Sequence, residues 1–233
     1  MLTQTEAQIY LESQRRNIQS EGFRSFQTFN SGTYQKEGRG AIGTLVAFDD
    51  QTLAPEACCM ILVEELTEII LIPLVGGIEL TTESKEASYI NSGETFHFLA
   101  KPENKYQIIN PYPEATINYL QIRFKPDILK SAKTHSDHHN IFDISQKNLL
   151  LPVFTTFNKN TNAYIGKYGG REEGLYTIQN PENSIFVFII EGAFEVQNRL
   201  LEKRDGLSLM HVETVNFEAL SNDAVILLVE VGM

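Results

Sequence analysis

Short apolar stretches separated by turn residues recur through the first half of the chain. Some of them alternate apolar and polar residues, which is typical of a strand with one face in a core. The stretch 68–75 is continuously apolar after its first residue, Glu68, and indicates a strand buried on both faces. The pairs Gly76-Gly77 and Ser92-Gly93 mark turns between strands. The pattern predicts a small β-barrel built from strands at residues 25–34, 43–48, 68–75, 78–82, 88–90, 95–98 and 119–124.

The second half of the chain repeats this pattern in a shorter form. Residues 186–192 repeat the apolar run and closing glycine of residues 69–76, and Glu191-Gly192 and Asp205-Gly206 are strong turn dipeptides. Two such barrels in one chain constitute an internal repeat of low sequence identity. The strands predicted for the second barrel are 153–157, 163–168, 175–178, 184–190, 193–197, 206–210 and 225–231.

The first 22 residues predict a different element. Thr3 and Glu6 have the spacing of a capping box, and Gln, Glu, Ala, Leu and Arg dominate the residues that follow. Gly22 is a suitable end for a helix over residues 3–20. The predicted organisation is therefore a helical segment at 1–22, a barrel at 23–125, a linker at 126–147 and a second barrel at 148–233.

The first barrel resembles the first cupin domain of the pirin family, which includes quercetin dioxygenases. The resemblance rests on the strand that begins at Glu68-Ile69-Ile70, the glycine turn after it, and the spacing from Glu68 to Asn110. The second half is similar to the second cupin of these proteins in the spacing from Gly192 to Gly206 and in its apolar end, 225–229. The resemblance implies an all-β fold of two cupin barrels, which are jelly-roll-like double-stranded β-helices.

The resemblance also implies a metal site in the first barrel, held by a His-x-His pair and a later His-x-Glu pair. At these positions this chain has Leu62, Glu64, Tyr106 and Ile108. Leu and Ile have no lone pair, and a phenol binds a metal only once it has lost its proton. A shift of one residue brings Ile61, Val63, Gln107 or Ile109 into these positions, and none of these is a suitable ligand. We therefore expect a pirin-like scaffold that binds no metal and needs no cofactor.

An apolar pocket is expected where the metal site would be, lined by Leu62, Glu64, Phe96, Phe98, Tyr106 and Ile108. If Glu64 and Tyr106 both point inward, burial disfavours the charged carboxylate, and the two groups form a candidate catalytic acid/base couple. The alternative is that Tyr106 hydrogen-bonds Glu64 and fills the cavity. His97 lies on the opposite face of its strand from Phe96 and Phe98, which predicts a solvent-facing or hydrogen-bonded structural histidine.

Two further groups of residues could carry chemistry. His135 and His139 have helical i, i+4 spacing beside Asp137 and His138 in the linker, which could form a metal site, but a hydrated interdomain loop accounts better for these polar residues. Cys58 and Cys59 are adjacent, so on a strand they point to opposite faces and do not form a disulfide with each other. They are expected to be small buried residues in a reducing compartment.

Charge and hydropathy exclude several functions. The net charge of −11 argues against a nucleic-acid partner, because phosphate binding needs clustered Lys and Arg. No apolar run has the length of a membrane span, and no secretion signal is visible, so we expect a cytoplasmic protein with no membrane association. The sequence predicts a metal-free bicupin that binds a small apolar ligand or a protein partner. The alternative is an enzyme, either a quercetin 2,3-dioxygenase-like oxygenase or a metal-independent isomerase or lyase.

Overall fold

The computed structural model describes residues 6–83, 85–126, 137–157 and 159–233, and within them every long element is a β-strand. This confirms the predicted all-β fold. The chain divides into two compact units. The N-terminal unit comprises Arg16–Ala41 and Leu45–Ile141, and the C-terminal unit comprises Met1–Arg15, Ile42–Thr44 and Phe142–Met233. None of the helices in the described residues is long and apolar enough to span a membrane.

In the described residues, the N-terminal unit is a double-sheet barrel of eleven strands. The strands are β2 Arg16–Ser20, β3 Phe23–Gln27, β4 Leu45–Leu53, β5 Cys58–Leu62, β6 Thr67–Val75, β7 Ile78–Thr82, β8 Lys85–Ile90, β9 Glu94–Ala100, β10 Lys105–Ile109, β11 Ile117–Phe124 and β12 His138–Ile141. A seven-stranded sheet has the order β12-β9-β6-β11-β4-β3-β2, and a four-stranded sheet has the order β5-β10-β7-β8.

The C-terminal unit repeats this architecture. Its strands are β1 Glu6–Tyr10, β13 Leu150–Thr155, β14 Asn162–Tyr168, β15 Glu173–Thr177, β16 Ser184–Glu191, β17 Phe194–Val196, β18 Arg199–Leu201, β19 Gly206–Met210, β20 Thr214–Ala219 and β21 Ala224–Val231. In the described residues, the six-stranded sheet has the order β1-β19-β16-β21-β14-β13, and the four-stranded sheet has the order β15-β20-β17-β18.

The predicted N-terminal helix is wrong. β1 and β2 occupy this segment, and a three-residue 3-10 helix at Glu12–Gln14 lies between them. β1 pairs with β19, and Ala7 and Ile9 pack against the core of the C-terminal unit. Sheet pairing and the burial of alternate side chains therefore override the helical propensity of this polar segment.

The strand predicted at 43–48 is longer than expected, because β4 continues through Asp49 and Asp50 to Leu53. β12 lies within the predicted linker and pairs with β9 at the edge of the seven-stranded sheet. The predicted turn at Gly76 is confirmed. Its φ of +73° favours glycine, and an added Cβ would lie 2.7 Å from the Ile117 side chain.

Candidate functional site

The pairing of β5 with β10 fixes which side chains point into the N-terminal barrel. Tyr106 lies opposite Ile61, and Ile108 lies opposite Cys59. Residues directly opposite each other share a face of the sheet, so Ile61 and Cys59 face the same side as the buried Tyr106 and Ile108. Val63 continues this inward row and is also buried. The inward positions of this segment are therefore 59, 61 and 63.

The prediction that Leu62 and Glu64 line the interior is wrong by one residue. Leu62 is 56% exposed, and Glu64 is exposed just after the end of β5. A shift of one residue along a strand moves every side chain to the other face. The residues that replace them inside the barrel, Ile61 and Val63, are hydrocarbon.

The other four predicted pocket residues do come together in the core between the two sheets. Phe96, Phe98, Tyr106 and Ile108 belong to one buried cluster. The rings of Phe98 and Tyr106 meet edge to face with centroids 5.4 Å apart, and those of Phe96 and Phe98 lie 6.0 Å apart. These side chains fill the barrel interior.

Tyr106 has a different hydrogen-bond partner from the predicted one. Its hydroxyl donates to Gln121 Oε1 at 2.9 Å in a buried environment. Burial raises the pKa of the Tyr106 phenol well above its ordinary value. Glu64 is exposed, so neither the predicted acid/base couple nor the predicted Tyr106–Glu64 bond forms. Gln121 was recognisable only as an inward position of the alternating strand 119–124.

Tyr106→Phe is expected to destabilise the N-terminal unit by about 1–2 kcal/mol, because it leaves the buried Gln121 carbonyl without its donor. Urea unfolding measures this change. The matched control is Tyr89→Phe, which removes a hydroxyl from a side chain that is 46% exposed. An equal loss of stability in both variants would contradict the assigned role of the Tyr106–Gln121 bond.

Polar residues occupy part of the interior beside Gln121. Asp49 lies opposite Gln121 on β4 and is 2% exposed. Its Oδ2 accepts a hydrogen bond from Arg123 Nη2 at 3.2 Å. This pair joins β4 to β11, and it gives Asp49 a structural role within a strand.

His97 forms a buried contact that the sequence only partly predicted. It lies on the opposite face of β9 from Phe96 and Phe98, and its Nε2 lies 2.7 Å from Glu68 Oε1. Both side chains are buried, so the solvent-facing alternative is excluded and His97 is a buried histidine in contact with Glu68. Glu68 was missed because it reads as the polar start of an apolar strand.

The linker histidines are arranged by a strand rather than by a helix. His138 and His139 are neighbours on β12 and therefore point to opposite faces. The His138 ring lies 6.0 Å from that of His97, and His139 Nε2 lies 3.0 Å from Glu94 Oε2. His135 lies outside the described residues. The predicted i, i+4 arrangement requires a helix, whereas His139 lies on a strand.

Partial burial by itself raises the pKa of the Glu94 carboxyl. Hydrogen bonds from Asn91 and His139 outweigh this effect and hold the pKa of Glu94 below its ordinary value. His139 and Glu94 are thus hydrogen-bonded to each other at the surface. Among the residues that the structure describes, no three His, Cys, Asp or Glu side chains converge in a way that could hold a metal ion.

The side chains at the implied metal position do not fit a metal. Ile61, Val63 and Ile108 offer no lone pair, and Tyr106 is a neutral phenol already bonded to Gln121. Iron and nickel sites of this kind need several imidazole or carboxylate ligands that converge on one point. The side chains inside this barrel therefore do not provide the ligands for the metal that the family resemblance implies.

A small cavity lies beside Tyr106, between β9 and β10. Its volume is about 70 Å³, and Val63, Phe98 and Tyr106 contribute to its lining, with Lys105 and Asp137 at its polar side. Ligand sites are typically several hundred Å³ in volume. This cavity has room for a few water molecules and not for a flavonoid-sized ligand.

The C-terminal unit has a broader cleft on its four-stranded sheet. The volume of this cleft is about 540 Å³, and its lining includes Glu173, Glu195, Glu218 and Leu175. The three glutamates lie in one row across neighbouring strands, since Glu218 is opposite both others. Arg171 donates to Glu218 at 3.1 Å on the surface. The cleft is acidic and open.

A buried carboxylate organises one end of the C-terminal barrel. Glu230 is fully buried on β21, and its two oxygens accept four hydrogen bonds. The donors are the Tyr176 hydroxyl at 2.6 Å, the backbone N–H groups of Gln179 and Asn180 at 3.0 Å each, and the Asn183 side-chain amide at 2.7 Å. This network was not predictable from the sequence, because Glu230 is a single polar residue within an apolar strand.

Glu230 and its four hydrogen-bond donors stabilise this end of the C-terminal barrel. The network ties the 179–183 loop to β21 and β15. Burial and the bond to Glu230 together raise the pKa of the Tyr176 phenol well above its ordinary value. Every acceptor site of the carboxylate is occupied by the protein itself, which leaves none for a substrate.

The two double-sheet barrels, each closed around its own apolar core, define the chain as a bicupin. Residues 155–231 match the family described as the quercetinase C-terminal cupin domain. This match confirms the predicted relationship to the pirin family through the C-terminal cupin. None of the curated proteins matches the sequence.

Solved structures share the fold over nearly the whole chain. The bacterial pirin YhhW from Escherichia coli is 16% identical, with a TM-score of 0.84, and the alignment covers 97% of each chain. YhhW has also been solved in complex with nickel(II), at a TM-score of 0.83, 16% identity and coverage of 97% of this chain and 99% of that one. A quercetin 2,3-dioxygenase from Acinetobacter baumannii is 12% identical, with a TM-score of 0.73, and the alignment covers 97% of this chain and 79% of that one.

Proposed function

We propose that this chain is a metal-independent bicupin that lacks oxygenase activity and acts by binding a protein partner. One observation carries the proposal. The inward positions where the resemblance implies metal ligands hold Ile61, Val63 and Ile108, together with a Tyr106 hydroxyl that is engaged with Gln121. The missing activity follows from the missing donors, since the oxygenase reaction of such a site needs a bound metal.

The size of the barrel cavity favours a protein partner over a small apolar ligand. The space beside Tyr106 is about 70 Å³, well below the volume that encloses a drug-sized molecule. Phe96, Phe98 and Ile108 occupy the rest of the predicted pocket as packed core. We place this role in the cytoplasm, a reducing compartment that suits the two free cysteines, Cys58 and Cys59.

A turnover assay tests the absence of oxygenase chemistry. We expect no oxygen consumption with quercetin, with or without added Fe²⁺, Ni²⁺ or Mn²⁺, while a quercetin 2,3-dioxygenase assayed in parallel is active. Metal-dependent turnover would overturn the proposal.

A further inference from the structure

The free edge of β5 offers backbone hydrogen bonds to a partner. In the part of the chain that the structure describes, β5 is the outermost strand of the order β5-β10-β7-β8 and pairs on one side, with β10. On that side Asn110 N–H donates to Ala57 O, and Val63 N–H donates to Asn104 O. In an antiparallel ladder every second residue bonds to the neighbour, so the odd-numbered residues bond to β10. The N–H and C=O groups of residues 58, 60 and 62 therefore point away from the sheet.

The side chains of the same three residues form an exposed apolar row. Met60 is 63% exposed, Leu62 is 56% exposed, and Cys58 is exposed as well. β5 contains no charged residue and no proline. Natural proteins usually protect an edge strand with lysine, proline, a bulge or a covering loop, because an unprotected edge pairs with other chains. Among the described residues, an apolar edge with neither lysine nor proline has the properties of a surface for strand addition.

Acidic side chains flank this edge. Glu56 precedes β5, Glu64 and Glu65 follow it, and all three are exposed. The whole chain carries a net charge of −11. Charge complementarity therefore favours an incoming segment with basic residues at its ends and apolar residues between them.

The same charges oppose pairing with a second copy of this chain. The antiparallel register that pairs all five residues of two β5 strands centres on Met60 and brings Glu56 of each copy to Glu64 of the other. Like charges placed opposite each other across a strand pair are destabilising. A parallel pairing aligns the acidic flanks with each other as well.

We propose that the β5 edge binds an extended segment of a protein partner as an added strand, with apolar side chains at alternate positions and Lys or Arg at both ends. This inference rests on the proposed function, because it names the surface and the class of partner. Partner residues opposite Met60 and Leu62 lie on the same face of the extended sheet and pack against them. The flanking cations approach Glu56, Glu64 and Glu65.

A defined peptide tests the edge directly. The probe is a fluorescein-labelled peptide of sequence Lys-Lys-Val-Thr-Val-Thr-Val-Lys-Lys, titrated with the full chain and followed by anisotropy. We expect saturable binding with a Kd below about 1 mM. Replacing the terminal lysines by glutamates is expected to weaken binding by about tenfold or more, and raising the salt concentration is expected to weaken the lysine probe.

Two variants separate the backbone contribution from general surface effects. Met60→Pro removes an outward N–H that makes no bond to β10, and proline is tolerated at sheet edges, so the fold is retained while binding falls by about tenfold or more. The matched control is Leu200→Ala, at an apolar position of the C-terminal unit that is 60% exposed. This control is expected to bind the probe as the parent does. Circular dichroism verifies that both variants remain folded.

Three outcomes would overturn the inference. They are the absence of saturable binding, binding that Met60→Pro leaves unchanged, and self-association of the parent in sedimentation that Met60→Pro abolishes. The last outcome would make a second copy the occupant of the edge. The two proposals can fail separately. If the chain is metal-free and inactive but does not bind the peptide, only the proposal for the β5 edge is refuted. Metal-dependent turnover would refute the proposed function whether or not the peptide binds.

Discussion

Glu230→Gln is expected to lower the free energy of unfolding of the C-terminal unit by about 3–5 kcal/mol. Each oxygen of the Glu230 carboxylate accepts one backbone N–H, from Gln179 on Oε2 and from Asn180 on Oε1. A glutamine places its NH₂ group on one of these two positions. In either orientation an amide donor faces a backbone donor that cannot turn away, in a site with no exposure to solvent.

Urea unfolding of the variant and the parent measures this effect. The matched control is Glu195→Gln, at an exposed position of β17, where we expect a change within about 0.5 kcal/mol. Tyr176→Phe removes one of the four donors and leaves the carboxylate three, so its effect should lie between these values. A Glu230→Gln protein as stable as the parent would show that the network does not hold the 179–183 loop.

The second large effect is expected at the His97–Glu68 contact. His97→Leu is expected to cost about 2–4 kcal/mol, because it removes the side chain that lies 2.7 Å from a carboxylate that is 2% exposed. Replacing both residues removes the buried polar pair together, and we expect His97→Leu/Glu68→Leu to recover part of the loss. The coupling energy from this double-mutant cycle measures the interaction.

His139→Leu is the matched control for His97→Leu. His139 lies on β12 and pairs with Glu94 at 3.0 Å, with its side chain 42% exposed. Exposed ion pairs contribute little, so this variant should change stability by less than about 1 kcal/mol. Additive effects of the His97 and Glu68 substitutions would contradict a direct interaction between the two side chains.

The strands of both barrels were largely predictable from the sequence, because strands and turns depend on local residue patterns such as apolar runs and glycine pairs. Residues 78–82 and 206–210 were predicted with the observed bounds. The helix predicted for the N-terminal segment was wrong because the amino-acid composition of this segment favours a helix. The alternation of Ala7 and Ile9 was the correct signal, but the strand that β1 pairs with lies about 200 positions further along the chain, at Gly206–Met210. No local pattern gives that pairing.

The site was predictable in composition but not in register. The sequence identified Phe96, Phe98, Tyr106 and Ile108 as inward residues, and they are buried together. The prediction placed Leu62 and Glu64 inside the barrel because it counted residues along the strand according to the spacing of a distantly related family. An error of one residue in this count places each side chain on the wrong face of the strand. The pairing of Ile61 with Tyr106 shows which residues point inward. The partners Gln121, Glu68 and Glu230 come from distant strands, so their roles depend on the tertiary fold.

The metal content of the purified protein tests the central claim most directly. The chain should be expressed without a histidine tag, purified without chelators, incubated with Fe²⁺, Ni²⁺, Mn²⁺ or Zn²⁺, desalted and analysed by inductively coupled plasma mass spectrometry. Because Ile61, Val63, Tyr106 and Ile108 supply no suitable ligand set, we predict less than about 0.1 equivalent of any retained metal per chain. Retention of about one equivalent of metal that is lost in Tyr106→Phe would contradict the account.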